Sequence, residues 1–270
     1  MITEEIRVDG VVQGVGFRPN VYRIAKALGL KGEVYNDGKG VLIKILGTED
    51  KITEFVRQLQ QECPPLAKIN EITRTQYIGE LNFDDFVISN SIHNVINTQI
   101  AADAATCPQC QAEIFDPYSR WFRYPFTNCT HCGPRLSIIR SIPYDRTNTS
   151  MAEFAMCPTC DRDYKDVTNR RFHAQPTACH VCGPKAWLER ADGKPFTVPM
   201  FSMLDEIDAV CTLLQKGEIV AIKSIGGINL AYDAFYPIYG KHIIKCSKNA
   251  QKLNLSIVII SLLQFSLAGT

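Results

Sequence analysis

Hydrophobic and polar residues in the first part of the chain form two strand-like runs with a helical stretch between them. The runs cover residues 4–12 and 31–45. Between them, four apolar residues recur at helical spacing: Val21, Ile24, Ala25 and Leu28. Pro19 suits a first helical turn and Gly29 suits a helix end, so the pattern predicts a helix over residues 19–28.

A turn sequence divides the second strand-like run. Residues 36–40, Asn-Asp-Gly-Lys-Gly, lie between the strand-like segments 33–35 and 41–46 and predict a β-hairpin. A second helix is expected between Thr48 and Pro64, with four apolar residues on one face: Ile52, Phe55, Val56 and Leu59.

Two further strand-like runs, at residues 69–77 and 86–88, complete the order β-α-β-β-α-β. This order predicts a ferredoxin-like α+β domain over residues 1–91. The chain has 270 residues and 46% hydrophobic content, so it can bury further cores, and its length favours two or three domains.

Eight of the eleven cysteines form two quartets of identical spacing, C-x2-C-x18-C-x2-C, offset by 50 residues. The quartets are Cys107, Cys110, Cys129 and Cys132, and Cys157, Cys160, Cys179 and Cys182. Each C-x2-C pair presents two thiolates from a tight turn, which suits tetrahedral Zn²⁺, and four thiolates leave no open position for water. The spacing predicts two structural zinc sites in a duplicated unit over residues 104–187.

Two alternatives to four-cysteine zinc sites remain open. Disulfide-stapled loops are disfavoured because no apolar signal segment follows Met1, which predicts a cytoplasmic protein with reduced thiols. Three histidines near the quartets could replace a cysteine as ligands: His131, His173 and His180. The remaining cysteines lack metal spacing and are expected to act as small hydrophobes: Cys63, Cys211 and Cys246.

The net charge of +1 argues against a dedicated nucleic-acid binder. Arginines nevertheless concentrate around the quartets: Arg120, Arg123, Arg135, Arg140, Arg146, Arg162, Arg170 and Arg171. We interpret them as a solvated or acid-paired face, in preference to a nucleic-acid contact.

The loop between the first strand and the first helix combines two glycines with an arginine. It consists of Gln13, Gly14, Val15, Gly16, Phe17 and Arg18. The glycines allow successive backbone N–H groups to turn inward as an anion nest, and the helix N-terminus adds its dipole. Arg18 can bind the same phosphate with its planar guanidinium. The alternative is a plain tight turn followed by a solvated arginine.

Residues 8–18, VDGVVQGVGFR, resemble the signature of the acylphosphatase family, and Asn36 matches the asparagine of that family's following hairpin. The resemblance implies that the loop amides and Arg18 bind a phosphoryl group while Asn36 orients the attacking water. An acyl phosphate is already activated, so positioning and charge stabilisation are sufficient for its hydrolysis. Turn chemistry alone is the alternative role for Asn36.

Together with the quartets, three segments resemble the HypF family of carbamoyltransferases, which act in NiFe-hydrogenase maturation. These are residues 123–135 (RYPFTNCTHCGPR), 142–146 (IPYDR) and 171–179 (RFHAQPTAC). His180 stands where a proline is expected.

The family resemblance implies a multi-step activity. The acylphosphatase-like domain would hydrolyse carbamoyl phosphate, and a YrdC-like domain would use ATP and Mg²⁺ to adenylate the carbamate. A further domain would pass the carbamoyl group to a cysteine of a HypE-type partner protein. The implied cofactors are therefore two structural Zn²⁺ ions here and ATP with Mg²⁺ in the full family.

Residues 200–234 resemble the opening of the YrdC-like α/β domain. The pattern predicts a strand at 219–222 and, before it, a helix with four apolar residues on one face: Ile207, Val210, Cys211 and Leu214. Lys223 and the glycines after it could approach a phosphate, but a buried strand and turn is the favoured interpretation.

Residues 235–270 form an atypical tail. None of the 28 acidic residues lies beyond Asp233, and the apolar run at 257–263 is shorter than the about 20 residues that span a bilayer. We therefore expect no membrane contact and hypothesise a frame-shifted or prematurely ended coding sequence. The chain would then at most hydrolyse carbamoyl or other acyl phosphates.

A second class of function remains open, a non-catalytic zinc-binding module for protein or RNA contact. YrdC-like domains are linked to RNA binding, although the net charge disfavours nucleic acid as a partner. Arg18 and Asn36 together favour the enzyme, because a scaffold needs neither.

Overall fold

The computed structural model describes residues 1–79, 83–92, 99–190, 205–224, 227–232 and 256–261. The chain divides into two units, Met1–Gly183 and Pro184–Thr270. Among the described residues, no helix is long and apolar enough to cross a membrane.

The first part of unit one is an α+β domain. Its elements are β1 (Ile2–Val11), α1 (Phe17–Ala27), β2 (Lys31–Asp37), β3 (Gly40–Gly47), α2 (Glu49–Gln61), β4 (Lys68–Gln76) and β5 (Phe86–Ile88). The sheet order is β4-β1-β3-β2-β5. Strand β1 is antiparallel to both neighbours, β2 and β3 form the predicted hairpin, and β5 adds a parallel edge next to β2. The predicted ferredoxin-like arrangement is confirmed.

Helix α1 begins two residues before the predicted start. Gly16 lies at its N-cap in the left-handed region, and Phe17 is the first helical residue. Pro19 therefore occupies the first turn, where its missing N–H would have had no intrahelical partner.

The two helices pack on the sheet through the apolar positions that the sequence indicates. Four residues of α1 and α2 that the periodicity selects are fully buried: Val21, Ile24, Ile52 and Phe55. They join strand residues such as Ile6, Val34 and Ile43 in one core. Since β1 and α1 both contribute to this core, the loop that joins them is held at both ends.

The cysteine-rich part of unit one, the finger region, repeats its local structure. Helices α3 (Pro108–Phe115) and α4 (Pro158–Lys165) each start directly after the first cysteine of a quartet, with proline at the first position. The residues Arg123 and His173 both adopt left-handed backbone, with φ of 60° and 54°. Their N–H groups bind the equivalent helix carbonyls, those of Ile114 and Tyr164. The predicted duplication is confirmed.

Between the two repeats runs a segment that contains two 3₁₀ helices, Arg146–Asn148 and Ser150–Glu153. This bridge starts at the cis peptide Ile142-Pro143. The side chain of Arg146 donates to the carbonyls of Gln175 at 2.5 Å and Thr177 at 2.9 Å. The bridge is thereby fixed to the second repeat.

The second unit contains a four-stranded sheet and one described helix. Its elements are β6 (Lys185–Arg190), α5 (Glu206–Gln215), β7 (Val220–Ser224), β8 (Gly227–Ala231) and β9 (Ser256–Ser261), and the sheet order is β6-β9-β7-β8. Strand β9 lies in the segment interpreted above as an atypical tail, yet it pairs antiparallel with β6 and parallel with β7. A continuous apolar run is typical of a strand between two neighbours, which the sequence pattern did not suggest here.

Helix α5 confirms the predicted helix but corrects its buried face. Ala209, Val210 and Leu213 are buried, whereas Cys211 is exposed. Cys211 follows Val210 by about 100° around the helix axis and therefore turns away from the packed side. Cys63 is half-buried and packs against the first core, as expected for a small hydrophobe. Cys246 lies outside the described residues.

Candidate active site and metal centres

The loop from β1 to α1 has the backbone of an anion nest. Gly14 and Gly16 have φ of +75° and +76°, which side chains other than glycine rarely adopt. The space beside them is also occupied. An added Cβ at Gly14 would lie 3.2 Å from Cγ of Arg135, and one at Gly16 would lie 3.1 Å from Cβ of Thr130. Glycine is therefore favoured at both positions by the backbone conformation, and the space beside each is tight.

Arg18 and Asn36 lie together beside this loop. With the amide of Asn36 oriented so that its oxygen faces the guanidinium, Oδ1 accepts hydrogen bonds from Nε and Nη2 of Arg18, each at 3.2 Å. Both side chains are buried, with 8% and 1% exposed. Arg18 lies in the first turn of α1 and Asn36 lies next to the last residue of β2, so the fold of the first domain brings them together.

The Gln13 side chain is used for structure. Its Nε2 donates to the carbonyls of Asp37 at 2.8 Å and Gly40 at 2.9 Å, and its Oε1 accepts from the backbone N–H of Tyr144 at 3.0 Å. The side chain thus ties the loop to the hairpin and to the bridge. Gln13 can therefore contact a ligand only through its backbone.

The Val15 and Phe17 side chains belong to the hydrophobic core and have at most 1% exposed surface. Of the six predicted loop residues, only Arg18 therefore offers a side chain to a ligand, and the others offer backbone groups. This division explains why the loop can contain two apolar residues, Val15 between the glycines and Phe17 after them.

Arg18 has a further partner that sequence analysis did not assign. Its Nη2 donates to Oδ1 of Asp145 at 2.6 Å, and its Nη1 donates to the hydroxyl of Ser91 at 3.2 Å. Asp145 lies within the IPYDR segment, and the only sequence signal there is its resemblance to the HypF family. A separation of 127 residues between Arg18 and Asp145 leaves no local pattern to reveal the pair.

A small cavity of about 20 Å³ lies over the loop. One side is formed by the first domain, and the other by residues of the finger region that include Thr130, Arg135, Tyr144 and His173. Burial, together with the positive charge of nearby Arg18, lowers the pKa of His173 to about 4. Its imidazole is therefore neutral near pH 7.

The cysteine quartets come together as predicted. In each, the four sulfur atoms lie within 4.8 Å of one another, and none of the eight cysteines forms a disulfide. Measured Sγ–Sγ distances are 3.4 to 3.8 Å in the first quartet and 3.8 to 3.9 Å in the second. Four sulfurs at about 2.3 Å from a central zinc would lie about 3.8 Å apart, so the donor sets fit tetrahedral Zn²⁺.

The disulfide alternative is wrong, because a disulfide needs sulfurs about 2.05 Å apart. Neither candidate metal group includes a histidine. His180 instead makes a 2.9 Å hydrogen bond to the carbonyl of Phe122, and His173 lines the cavity over the loop.

The two finger repeats exchange arginines across the boundary between them. Nη1 of Arg120 in the first repeat donates to Cys160 Sγ of the second at 3.2 Å, and Nη1 of Arg170 donates to Cys110 Sγ of the first at 3.1 Å. Each arginine also pairs with an acid of the other repeat, Asp163 or Glu113. Positions 120 and 170, 110 and 160, and 113 and 163 are all 50 residues apart, so the contact is reciprocal.

The predicted acid-paired arginine face is confirmed at four positions. Besides Arg120 and Arg170, Arg171 pairs with Glu113 and Arg140 pairs with Glu153. Arg135 and Arg146 donate to backbone carbonyls within the fold. These guanidinium groups are engaged by the protein's own acceptors.

Comparison with known proteins agrees with this architecture. Residues 4–88 match the family model described as acylphosphatase, and residues 106–139 and 156–189 match the model described as HypF finger. The carbamoyltransferase HypF2 of Cupriavidus necator is 52% identical over 231 residues, which is 85% of this chain and 28% of that protein. The chain belongs to the HypF family.

Solved HypF structures are similar over nearly all of the chain. A full-length HypF in a phosphate- and nucleotide-bound form superposes with a TM-score of 0.83 at 41% identity, covering 92% of this chain and 32% of that one. The HypF of T. kodakarensis superposes with a TM-score of 0.77 at 43% identity, covering 91% and 30%. The chain thus spans about a third of the HypF proteins that it matches.

Acylphosphatases resemble the first domain alone. The acylphosphatase of Caldivirga maquilingensis is 41% identical over 83 residues, which is 30% of this chain and 86% of that enzyme. The first domain of this HypF-family chain therefore corresponds to nearly the whole of a small enzyme.

Proposed function

We propose that this chain hydrolyses small acyl phosphates, with carbamoyl phosphate as its substrate. The observation that supports this most directly is the contact of Arg18 with Asn36 at 3.2 Å beside a loop whose two glycines have left-handed backbone. The phosphoryl group would lie on the loop amides and on the Arg18 guanidinium.

The chemistry follows from this placement. Asn36 holds a water molecule whose oxygen forms a bond to phosphorus while the bond from phosphorus to the acyl oxygen breaks. Carbamate leaves with the electron pair, and the water protons pass to the phosphate and solvent. The loop amides and Arg18 stabilise the negative charge that builds on the phosphoryl oxygens. Val15 and Phe17 hold the loop in place from the core side.

We infer that each cysteine quartet holds one structural Zn²⁺, which would join the two C-x2-C turns of its repeat. We further propose that residues 200–234 begin a YrdC-like domain. Adenylation with ATP and Mg²⁺, and transfer to a HypE-type partner, belong to the full-length family and are proposed only for a protein with all its domains.

The hydrolysis proposal is tested by replacing Arg18. Arg18→Ala should lower kcat/KM for carbamoyl phosphate by on the order of 100-fold or more, because a charged donor to the phosphoryl group is lost. Asn36→Ala should lower kcat with a smaller change in KM. Phosphate release is measured without ATP, which should not be required.

Arg23→Ala is the matched control. Arg23 lies on the same helix, but it is exposed and paired with Glu62 at 2.5 Å. This variant should keep its activity. If Arg18→Ala were as active as Arg23→Ala, the proposed hydrolysis at this site would be refuted.

A further inference from the structure

Three of the polar contacts between the finger region and the phosphate loop bear on how the loop binds an anion. The guanidinium of Arg135 donates from Nε to the Gly14 carbonyl at 2.8 Å, and the N–H of Tyr144 donates to Gln13 at 3.0 Å. The third contact is the 2.6 Å ion pair of Arg18 with Asp145. An acylphosphatase that consists of the first domain alone has no counterpart of the region that supplies these groups.

Arg135 is 1% exposed and joins the loop to the first quartet. Its Nη2 donates to the carbonyls of Cys129 at 3.1 Å and Thr130 at 2.8 Å. Its Nη1 has no hydrogen-bond acceptor among the described residues. A buried donor without an acceptor is costly, so it suits a site where a ligand provides one.

The contact at Gly14 determines how the loop amides point. The carbonyl of Gly14 and the N–H of Val15 belong to one planar trans peptide, so they face opposite directions. A guanidinium that holds the carbonyl on one side therefore directs the Val15 N–H to the other side, away from Arg135 Nε. Arg135 can in this way set the nest from outside the first domain.

Asp145 is one of the acceptors that occupy the Arg18 guanidinium. The N–H groups of Arg18 already face the oxygen of Asn36, the carboxylate of Asp145 and the hydroxyl of Ser91. The cavity leaves only about 20 Å³ free. A phosphoryl group that binds Arg18 through two oxygens must take the place of an existing acceptor, and the only anion among them is Asp145.

We propose that the finger region completes the phosphate site, with Arg135 as a positioning residue of the loop and Asp145 as the internal anion that the substrate phosphate displaces from Arg18. This inference rests on the proposed hydrolysis. Under this proposal, Arg135 strengthens phosphate binding at the loop and Asp145 weakens it.

The test is the dissociation constant of inorganic phosphate, measured by calorimetry on the full chain, together with kcat and KM for carbamoyl phosphate. Asp145→Asn should tighten phosphate binding by on the order of tenfold, because one like charge a few ångströms from the anion is removed. Arg135→Ala should weaken phosphate binding by a similar factor. Arg135→Lys keeps the charge but loses the fork, so its affinity should lie between those of the wild type and Arg135→Ala.

Arg140→Ala and Glu153→Gln are the controls, since these residues form an ion pair on the exposed finger surface. Zinc content and circular dichroism identify an unfolded variant, and Arg135→Lys keeps the test valid if Arg135→Ala does not fold. Unchanged or weaker phosphate binding in Asp145→Asn would overturn the role of Asp145. Unchanged binding in both Arg135 variants would overturn that of Arg135. Loss of activity in Arg18→Ala alongside either result would leave the hydrolysis proposal intact.

Discussion

The surroundings of His173, a finger-region residue near the phosphate loop, change the pKa of its imidazole. Its backbone is left-handed, with φ of 54°, and its ring packs between Tyr164 and Phe172 at centroid distances of 4.9 and 4.7 Å. Burial and the Arg18 charge lower its pKa to about 4. Of the charged groups near the ring, Arg18 lowers the pKa of His173 and Asp145 raises it.

This lowered pKa predicts a dependence of stability on pH. Between pH 6.5 and about 4 the unfolded chain binds a proton at residue 173 that the folded chain does not. The free energy of unfolding should therefore fall as the pH is lowered through this window, by up to about 2 to 3 kcal/mol from this residue.

The variant His173→Asn checks that dependence, because asparagine accepts left-handed backbone but does not titrate. Urea unfolding of both proteins at pH 7.5 and pH 4.5 gives the difference. The variant should lose less stability over this interval than the wild type. Parallel losses in the two proteins would contradict the assignment to His173.

At the level of single residues, the sequence predicts the candidate site residues that lie close together in the chain. Arg18, Gly14 and Gly16 share one loop, and Asn36 lies in the next hairpin, so a motif could indicate them together. Asp145 and Arg135 approach that loop from more than 100 residues away. Their contacts depend on how the finger region packs, which hydrophobic periodicity does not encode.

The finger repeats are elements whose metal sites depend on one another. Arg120 and Arg170 each donate to a sulfur of the opposite repeat, at 3.2 and 3.1 Å. The ring of Trp121 is sandwiched between Arg120 and Arg171, at 3.9 and 3.4 Å from its centroid. Hydrogen bonds to ligating sulfurs orient the ligands and tune the metal. A change in one repeat should therefore be felt at the metal of the other.

Arg170→Ala should accelerate zinc release from the first quartet, and Arg120→Ala should accelerate it from the second, each by on the order of tenfold. Release is followed with a chromophoric chelator. Cadmium-113 NMR of the cadmium-substituted protein identifies the affected site. Arg140→Ala, which faces solvent in its pair with Glu153, is the control. An effect confined to the quartet of the same repeat as the mutated arginine would contradict the exchange.

Sequence patterns located most elements but not every pairing. The periodicity of α1 and α2 was clear because each helix buries one apolar face. Strand β9 was not anticipated, because the four consecutive apolar residues within it carry no alternation and fit several structures. For α5, the sequence pattern wrongly placed Cys211 on the buried face. A short helix has few turns, so the pattern does not determine which residues share a face.

On the scale of the whole molecule, the first domain and the finger region form one unit, and several of the polar contacts between them lie at the phosphate loop. Arg135, Tyr144 and Asp145 all lie between or next to the quartets in sequence, so their positions depend on the finger fold. Metal in the quartets should therefore influence the proposed hydrolysis, although that proposal gives the quartets no chemical role.

Removal of zinc with a chelator should lower carbamoyl phosphate hydrolysis, because the loop loses its support from the finger region. Addition of zinc should restore it. The measurement is phosphate release against bound zinc per chain. Full activity at zero zinc would contradict the structural dependence, and activity that tracks zinc would support it. The exposed variant Arg23→Ala should show the same zinc dependence as the wild type.

The reciprocal arginine exchange has a consequence for symmetry. A contact in which position 120 meets 160 while 170 meets 110 is isologous, the type found in two-fold homodimers. Each repeat therefore contains both halves of a self-complementary surface. The finger region therefore has the geometry of a dimer whose two subunits are joined in one chain. The bridge is the covalent link between the two repeats, and it places Asp145 on only one side of the pseudo-two-fold axis that relates them.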